Sequence, residues 1–559
     1  MKQLLYAVLL AVLLSGCRTH KKYDIIIRNG TIYDGSGSAP FMGDLAINAD
    51  TIAAFGSLGN AHGEMILDAK GLAIAPGFIN MQSWASLSLI EDGLSQSDIR
   101  QGVTLEVMGE GWSEGPITEA MKKETYENQG DIKYKIEWNT LGEYLDFLEK
   151  KGVSCNISSF VGATTLRINA LGYENRAPSP EEMALMKKLA KEAMEDGAIG
   201  ISSALIYAPA SFSKTEELIE LCKEVSLHNG MYISHLRSEG DLFLEGLSEL
   251  IEITARAGIK SEIYHLKAAG TENWAKMDQA IKRIDSARSA GLDITTNMYN
   301  YTAAGTGLYA TMPQWVQEGG HDAWVERLKN PEVRAKVIKE MIAPGKNWEN
   351  FYYMVGSPEN IILGAFKNDS LKYLTGKTLA SVAESRKRSA PETVIDLIIH
   401  DNSRVSSLFI LMNEDNIRKQ IALPYMSFGS DEQSLAPEGV FLKSNPHPRA
   451  YGNFSRLLGK YVREEKIITL EEAVRRLTSL PATNMKITKR GSLKIGYYAD
   501  IVVFDPLKIS DHATLTKPHQ YSTGVSEVFV NGKQVLKNGE HTGAKPGRIV
   551  RGPGYKGKN

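Results

Sequence analysis

The central part of the chain repeats one unit four times: an amphipathic helix, a glycine and a short apolar strand. The units lie at residues 181–207, 215–240, 243–270 and 277–302. Each helical pattern ends near a glycine, which takes the left-handed C-cap conformation without steric strain. Because neighbouring parallel strands need a crossover connection, helices that alternate with strands predict a parallel α/β architecture.

Two parallel α/β folds are compatible with this repeat, a barrel and a doubly wound sheet. A doubly wound nucleotide-binding sheet carries a glycine-rich phosphate loop after its first strand. The sequence has neither a Walker nor a G-x-G-x-x-G motif in that position. A (β/α)₈ barrel takes about 250 residues or more, which the central region provides. We therefore predict an α/β protein with a TIM-type (β/α)₈ barrel over residues 76–480.

The two ends of the chain show a strand-like pattern instead. Residues 23–75 contain short apolar runs around turns such as Asn29-Gly30, which is a hairpin signal. Residues 481–550 show the same alternation of apolar runs and turns. We expect the two ends to meet in one composite β-sandwich domain.

The charge balance argues against one class of partner. The 559 residues include 64 Lys and Arg against 66 Asp and Glu, so the charges nearly cancel. A nucleic-acid-binding protein needs a basic face, which this balance does not predict. We expect a small-molecule substrate rather than a nucleic acid, and the composition leaves the oligomeric state open.

The first residues have the pattern of an export signal. Lys2 precedes the apolar run LLYAVLLAVLL, which is too short to span a bilayer comfortably and suits a signal peptide. The following Leu-Ser-Gly-Cys resembles a bacterial lipobox, in which the cysteine is lipidated; a plain secretory signal is the alternative. We expect a lipoprotein signal peptide at residues 1–17, lipidation at Cys17, and an exported protein anchored to a membrane of the cell envelope.

Two histidines end neighbouring predicted strands. MYISH ends at His235 and SEIYH ends at His265, one helix–strand unit later. In barrels, the carboxyl ends of the strands carry the active site. A single histidine at a strand end is more often structural than a metal ligand. Two of them on adjacent strands suit a zinc site, and we take them as candidate ligands.

Two carboxylates follow other predicted strands. Glu110 comes after VTLEVM in a glycine-flanked turn, and Asp431 follows an apolar strand in a Gly-Ser turn. Each has a simpler explanation, since Glu110 could be a solvated loop acid and Asp431 could cap a helix. Together with His235 and His265, one carboxylate would complete a catalytic zinc triad with an open fourth position. The other would be free to move protons.

Several stretches resemble the amidohydrolase superfamily, and within it the N-acyl-D-amino-acid deacylase, or D-aminoacylase, branch. The resemblance extends from about residue 23 to 550. The stretches that carry it include RNGTIYDGSG, APGFIN, QGVTLEVMGEGWSEGP, YISHLRSEG, IYHLKAAG, FGSDEQS and HPRAYGNF. This resemblance implies a TIM-type barrel with a two-ended β domain. It also implies hydrolysis of the amide bond of N-acyl-D-amino acids, with release of a carboxylate and a D-amino acid.

The resemblance also implies roles for the candidate residues. His235 and His265 would hold a zinc ion after the fifth and sixth barrel strands. In the deacylase branch a cysteine from an Asn-Cys-Gly turn is a further ligand. With a one-residue gap allowed, the stretch Gly-Glu-Gly-Trp-Ser puts Glu110 at that position, and zinc accepts a carboxylate in place of a thiolate. Asp431 matches the general base of the family.

The sequence departs from the superfamily at its first metal position. There the run APGFIN leads into His-x-His, which supplies two metal ligands, but this chain has Gln82 and Trp84. An indole N–H is only a donor, and the oxygen of a glutamine is a weak neutral ligand. We expect the first metal position to be empty and one Zn²⁺ per chain at the second. The role of Trp84 is left open.

By resemblance, Lys267, Tyr301 and Arg237 would contact the substrate, and residues from about 303 to 370 would form an inserted lid. Two other functions stay open at this point: a hydrolase of dipeptides that contain D-amino acids or of cyclic amides, and a metal-free binding lipoprotein without catalysis. The substrate's acyl group and side chain and the role of His447 are also left open.

Overall fold

The structure is a computed structural model that describes residues 22–557. The predicted signal peptide and the lipidation site Cys17 lie outside the described residues. The strands are β1(Lys22–Ile32), β2(Phe41–Asn48), β3(Thr51–Gly56), β4(His62–Asp68), β5(Ala73–Pro76), β6(Phe78–Asn80), β7(Val103–Met108), β8(Asn156–Ser159), β9(Val161–Gly162), β10(Gly200–Ala204), β11(Met231–His235), β12(Ser261–Ile263), β13(Ile294–Met298), β14(Ala303–Gly307), β15(Ile361–Ala365), β16(Ser406–Ile410), β17(Met426–Phe428), β18(Ile501–Phe504), β19(Val525–Val530), β20(Lys533–Lys537) and β21(Glu540–His541).

Helices connect most of these strands. The α-helices are Ser86–Glu91, Gln96–Ile99, Glu119–Asn128, Leu141–Lys151, Ala163–Leu171, Pro180–Asp196, Thr215–Ser226, Phe243–Ala257, Lys276–Ser289, His321–Leu328, Pro331–Met341, Phe351–Met354, Leu379–Arg386, Ala390–Asp401, Glu414–Ile421, Arg449–Arg456, Leu470–Leu477 and Ser479–Asn484. Short 3₁₀ segments lie at Ala210–Phe212, Thr271–Asn273, Leu308–Thr311, Gln314–Gln317, Pro358–Asn360, Asp369–Leu374 and Gly439–Lys443, and a π-helix spans Leu457–Glu464. Within residues 22–557, no helix has both the length and the apolar character needed to cross a membrane.

The two ends of the chain form one nine-stranded sheet. Its order is β21-β20-β19-β18-β5-β1-β2-β3, and β4 lies beside β1. Strand β18 pairs antiparallel with β5, where Val502 lies opposite Ala75, so both ends of the chain contribute to the sheet. Ile27, Leu45 and Phe529 share one buried apolar cluster on it. The prediction of a β domain built from both ends is confirmed, although its strands form one hydrogen-bonded sheet.

Eight parallel strand positions between these ends form the predicted barrel. Around the ring they are β6, β7, β8 with β9, β10, β11, β12, β13 and β17. Strands β8 and β9 share one position, interrupted at Phe160. The ring closes where the Met81 N–H donates to the Phe428 carbonyl at 3.2 Å, and Ile199 donates to Ser159 at 3.0 Å. Burial on both faces is typical of parallel strands with helices outside.

A separate unit is inserted after the seventh barrel strand position. Strands β14, β15 and β16 form an antiparallel sheet in the order β14-β16-β15. An apolar cluster that includes Leu308, Phe351 and Phe409 packs within this unit. The predicted insertion, residues 303–370, ends too early, because the central strand β16 extends to Ile410 and holds the two outer strands. Residues 379–410 show the helix–strand pattern of a barrel unit, which conceals their place in the insertion.

A buried ion pair joins two barrel helices. Arg167 lies on Ala163–Leu171 and Glu217 on Thr215–Ser226, with Nη1 and Oε2 2.6 Å apart. Ser213 donates to the other Glu217 oxygen at 2.9 Å, and the guanidinium also donates to two backbone carbonyls. The arginine side chain is 0% exposed and the glutamate 5%, so neither charge has water as a substitute partner.

We expect Arg167→Ala to lower the free energy of unfolding by about 3–5 kcal/mol, because the Glu217 carboxylate would stay buried without its partner. Urea unfolding followed by circular dichroism measures this loss. Arg256→Ala is a matched control. Arg256 forms an exposed ion pair with Glu216, which lies on the same helix as Glu217. The control should unfold close to the wild type. Equal losses in the two variants would contradict the argument.

Candidate active site

The three predicted metal ligands lie at the carboxyl ends of their barrel strands. Strand β11 ends at His235, and His265 follows β12 by two residues. Glu110 follows β7 in a turn where Gly109 has φ 95°. A Cβ on Gly109 would lie 2.4 Å from the carbonyl oxygen of Phe160, so only glycine allows this close approach. Because parallel strands end on the same side, the turn places Glu110 beside the two imidazoles.

The Glu110 carboxylate lies between the two imidazoles. Its Oε1 is 3.2 Å from His235 Nδ1 and 3.1 Å from His265 Nε2. One ligand atom from each of the three residues lies within 4.8 Å of the others, and all three residues are buried. A tetrahedral zinc ion with bonds of about 2.1 Å separates its ligand atoms by about 3.4 Å. Both the donor types and their spacing therefore fit a zinc ion.

The charges around this carboxylate also favour a cation. Burial acts to raise the pKa of Glu110, but positive charge on His265 and hydrogen bonds from both imidazoles hold it well below its usual range. Burial and Lys267 act to lower the pKa of His265, yet Glu239 and Glu110 raise it to about 9. A buried carboxylate that attracts this much positive charge is a suitable ligand for a divalent ion.

A second carboxylate lies behind the imidazoles. Glu239 Oε1 is 3.1 Å from His265 Nδ1 and accepts a hydrogen bond from Lys267 Nζ at 2.6 Å. Carboxylates on the far nitrogen of a metal-binding histidine orient the ring. Glu239 is not among the residues predicted from the sequence, although its place four residues after His235 in a polar loop is a usable signal. The predicted residue Lys267 lies in the site and is paired with Glu239.

Asp431 lies on the other side of Glu110. Its Oδ1 accepts hydrogen bonds from Gln82 Nε2 and Trp84 Nε1, both at 3.0 Å, and Arg449 Nη1 lies 2.8 Å from its Oδ2. Burial raises the pKa of this carboxyl and the Arg449 charge opposes the rise. The helix Arg449–Arg456 begins beside Asp431 but has no side-chain cap, so the helix-cap alternative for Asp431 does not apply.

Tyr301 does not face the predicted metal site. Its hydroxyl donates to Asp511 Oδ2 at 3.2 Å, which turns the side chain away from the ligands. Tyr299 lies there instead: its ring centroid is 6.3 Å from that of His265 and 4.2 Å from the Arg449 guanidinium carbon. The two tyrosines are separated by one residue in YNY, and the sequence offered no signal to distinguish them.

Arg237 is bound mainly by protein groups. Its Nε and Nη2 bind both oxygens of Glu249 at 2.7 and 2.8 Å, and it also donates to the carbonyls of Ser211 and Ser213. These four bonds use four of the five N–H donors of the guanidinium and fix its orientation. Its place in the site is taken by Arg449, which is 2% exposed.

His447 supports the start of the helix Arg449–Arg456. Its Nδ1 accepts from the Arg449 backbone N–H at 3.0 Å, and its Nε2 lies 3.0 Å from the carbonyl oxygen of Ala303. Burial holds the pKa of His447 well below its usual range, so the ring is neutral. The sequence stretch HPRAYG drew attention to the histidine, whereas the arginine two residues later is the one beside Asp431.

Comparison with known proteins identifies a family profile and a relative that are similar to this chain. The profile of the amidohydrolase family matches residues 426–536. The chain is 31% identical to a D-aminoacylase of Alcaligenes xylosoxydans xylosoxydans, in an alignment that covers 94% of this chain and 97% of the relative. Sequence similarity therefore extends over nearly the whole of both proteins.

Two solved structures are similar in fold. One is an N-acyl-D-glutamate deacylase from Bordetella bronchiseptica, complexed with zinc and a phosphonate mimic of the tetrahedral intermediate; its TM-score is 0.78 at 26% identity. The other is a D-aminoacylase described by a binuclear metal centre with one-metal activation and second-metal attenuation; its TM-score is 0.79 at 27% identity. Each match covers 95% of this chain and 100% of the other. The chain belongs to the D-aminoacylase family of amidohydrolases.

Proposed function

We propose that the protein is a zinc-dependent deacylase that cleaves the amide bond of N-acyl-D-amino acids and releases a carboxylate and a D-amino acid. The observation that carries this proposal is the contact of Glu110 Oε1 with His235 and His265, at 3.2 and 3.1 Å. Asp431 is linked to the same carboxylate through the Gln82 amide. The similarity to a D-aminoacylase and to a zinc-bound N-acyl-D-glutamate deacylase supports the choice of bond.

The residues of the site have separate roles in amide hydrolysis. Glu110, His235 and His265 would hold the zinc, which when bound activates water and polarises the amide carbonyl. Asp431 is placed to take the proton from the attacking water and to return it to the leaving nitrogen. Gln82 holds the Asp431 carboxylate near the metal ligands through its bond to Oδ1.

Arg449 is the best-placed group for the carboxylate of the substrate. Its Nε and Nη1 have no aligned hydrogen-bond partner among the described residues, although Nη1 lies 2.8 Å from Asp431 Oδ2. A buried guanidinium with unused donors is suited to a carboxylate ligand. Lys267 lies behind the imidazoles, where its Nζ is 2.7 Å from His265 Nδ1 and donates to Glu239 Oε1 at 2.6 Å, so Arg449 is the cation on the Asp431 side.

A cleft between the barrel and the insertion would hold the rest of the substrate. Its volume is about 10 Å³, so the lining side chains must move apart to admit a group of the substrate. It begins beside the metal ligands, because the Tyr207 ring centroid is 5.4 Å from that of His235. Glu349 is the one charged side chain among the described residues that line it. The other lining residues include Ile206, Tyr309, Met312, Trp348 and Phe351. We propose neutral, apolar or aromatic groups for this cleft, because a second carboxylate would meet the Glu349 carboxyl, whose pKa burial raises to about 7, and none of the described lining residues carries a positive charge.

One zinc ion per chain should bind and stabilise the protein. At 100 times its dissociation constant, a ligand of the native state adds about 2.7 kcal/mol of stability. We expect zinc to raise the melting temperature of metal-stripped protein and Glu110→Ala to abolish the rise. Calorimetry and metal analysis by mass spectrometry measure both effects. Glu119→Ala, which removes an exposed carboxylate, is the control and should keep the rise. An unchanged response in Glu110→Ala would contradict the assigned ligand set.

Asp431→Asn should reduce kcat by about 10²–10⁴-fold and leave the zinc content unchanged, because the amide cannot accept the proton. Release of the free amino acid from N-acetyl-D-leucine, N-acetyl-L-leucine and N-acetyl-D-glutamate measures activity. The D-leucine derivative should be the best of the three, and the D-glutamate derivative should be poor because of Glu349.

Three outcomes of these measurements would contradict the proposal. Full activity of Asp431→Asn would remove the proton-transfer role of Asp431. Hydrolysis of D-amino-acid dipeptides or cyclic amides without any hydrolysis of the N-acetyl derivatives would move the function to a different bond. A zinc-free wild type without any of these activities would favour a binding protein.

We further propose that the chain is an exported lipoprotein anchored through Cys17. The support is the apolar run and the Leu-Ser-Gly-Cys sequence at residues 14–17. In a bacterial host, radiolabelled palmitate should enter the wild type, and Cys17→Ser should abolish labelling and move the protein to the soluble fraction. Cys155→Ser is a control, because this buried cysteine lies within the barrel. Membrane attachment of Cys17→Ser would overturn the assignment.

A further inference from the structure

We propose that Gln82 and Trp84 are positioning residues that take the place of a second metal ion. They hold the Asp431 carboxylate through hydrogen bonds from two neutral donors, and they prevent a cation from binding between Asp431 and Glu110. The part of this inference that concerns catalysis rests on the proposed deacylase function. The part that concerns metal exclusion stands on geometry alone.

The Gln82 amide bridges the two carboxylates of the site. Its Nε2 donates to Glu110 Oε2 and, at 3.0 Å, to Asp431 Oδ1. The side chain is 2% exposed, so water does not compete for these bonds. One NH₂ group thus stands where a bridging cation would have to contact both carboxylates.

The opposite orientation of the amide is unfavourable. In the structure, Gln82 Oε1 is buried without a hydrogen-bond partner. A flip would place this oxygen against two carboxylate oxygens and would lose both hydrogen bonds. The NH₂ group therefore stays towards Glu110 and Asp431, and an N–H cannot serve as a metal ligand.

Trp84 supplies the second donor. Its Nε1 donates to the same Asp431 oxygen at 3.0 Å. The indole is a donor without a lone pair for coordination, so it cannot act as a ligand either. The side chain is 39% exposed, which places it at the open side of the site.

Backbone contacts hold the two segments in register. The Asp431 N–H donates to the Gln82 carbonyl at 2.8 Å, and the Trp84 N–H donates to the Glu432 carbonyl at 3.0 Å. Gly429 allows the close approach, since a Cβ there would lie 2.7 Å from the Gln82 Cβ. The two donors are therefore placed by the closing seam of the barrel, between strands β6 and β17.

The two donors, Gln82 and Trp84, predict how the protein responds to excess zinc. The similar D-aminoacylase is described by a binuclear centre in which the second metal attenuates activity. Neutral donors in place of the second ion would leave this chain with one zinc and without such attenuation. We expect the wild type to bind one zinc per chain and to keep its activity in excess zinc.

The first experiment measures metal exclusion. The wild type and a Gln82→His/Trp84→His double variant are equilibrated with excess zinc, passed through a desalting column and analysed for zinc by mass spectrometry. We expect one zinc per wild-type chain and two per double-variant chain. Two zinc ions per wild-type chain, or one in a folded double variant, would overturn metal exclusion whether or not the protein is a deacylase.

The second experiment measures positioning. Trp84→Phe keeps an aromatic ring and loses one donor to Asp431. We expect kcat to fall at least tenfold, with KM and zinc content unchanged. Trp315→Phe is the matched control, because its indole also donates to a carboxylate, Glu340 Oε2, at 3.0 Å, but within the insertion. The control should keep the wild-type kcat.

The outcomes separate the inference from the proposed function. An unchanged kcat in Trp84→Phe, with an active wild type, would overturn the positioning role. Inhibition of the wild type by excess zinc would overturn the absence of attenuation. A wild type that binds one zinc but hydrolyses no N-acyl-amino acid would refute the deacylase proposal and support metal exclusion alone. If the double variant does not fold, Trp84→Phe and the wild-type zinc count still decide both parts.

Discussion

The site depends on one buried carboxylate held between two imidazoles. Glu110 Oε1 contacts His235 and His265 at nearly equal distances, in a position from which water is excluded. A carboxylate is unstable in such surroundings unless positive charge or strong donors compensate for the lost hydration. The two histidines contact this oxygen, and beyond them the Glu239 carboxylate contacts both His265 and Lys267. Imidazoles placed between two carboxylates make the position suitable for a divalent ion.

The barrel makes this arrangement possible because its strands all end on one side. Glu110, His235 and His265 come from three strand positions, and Asp431 from the last strand before the ring closes. The seam between β6 and β17 brings Gln82 and Trp84 against Asp431, across more than 340 positions of sequence. The insertion covers the same rim and supplies much of the cleft beside His235. One face of the molecule thus combines metal ligands, a proton carrier and a substrate cleft.

Much of the site could be predicted because its residues end predicted strands. His235, His265, Glu110 and Asp431 each follow an apolar run, and parallel strands bring such positions together. The sequence did not predict which of two nearby side chains points into the site, because a local pattern does not determine side-chain direction. Tyr301 and Tyr299 lie on either side of one residue, yet Asp511 draws only Tyr301 away. Arg237 in HLRSEG is paired with Glu249, and the buried guanidinium beside Asp431 belongs to Arg449, at the start of the helix Arg449–Arg456.

Periodicity and residue type are enough to predict the repeating α/β architecture, the strand ends that carry the metal ligands and the loss of the His-x-His pair. The folded chain establishes which polar groups face each other: Arg449 beside Asp431, Tyr299 beside His265, and Gln82 and Trp84 paired with Asp431. It also decided that the insertion extends to Ile410. The physical reason is that hydrogen bonds and ion pairs between distant segments depend on side-chain direction within a few ångströms. Local sequence patterns carry no information about such directions.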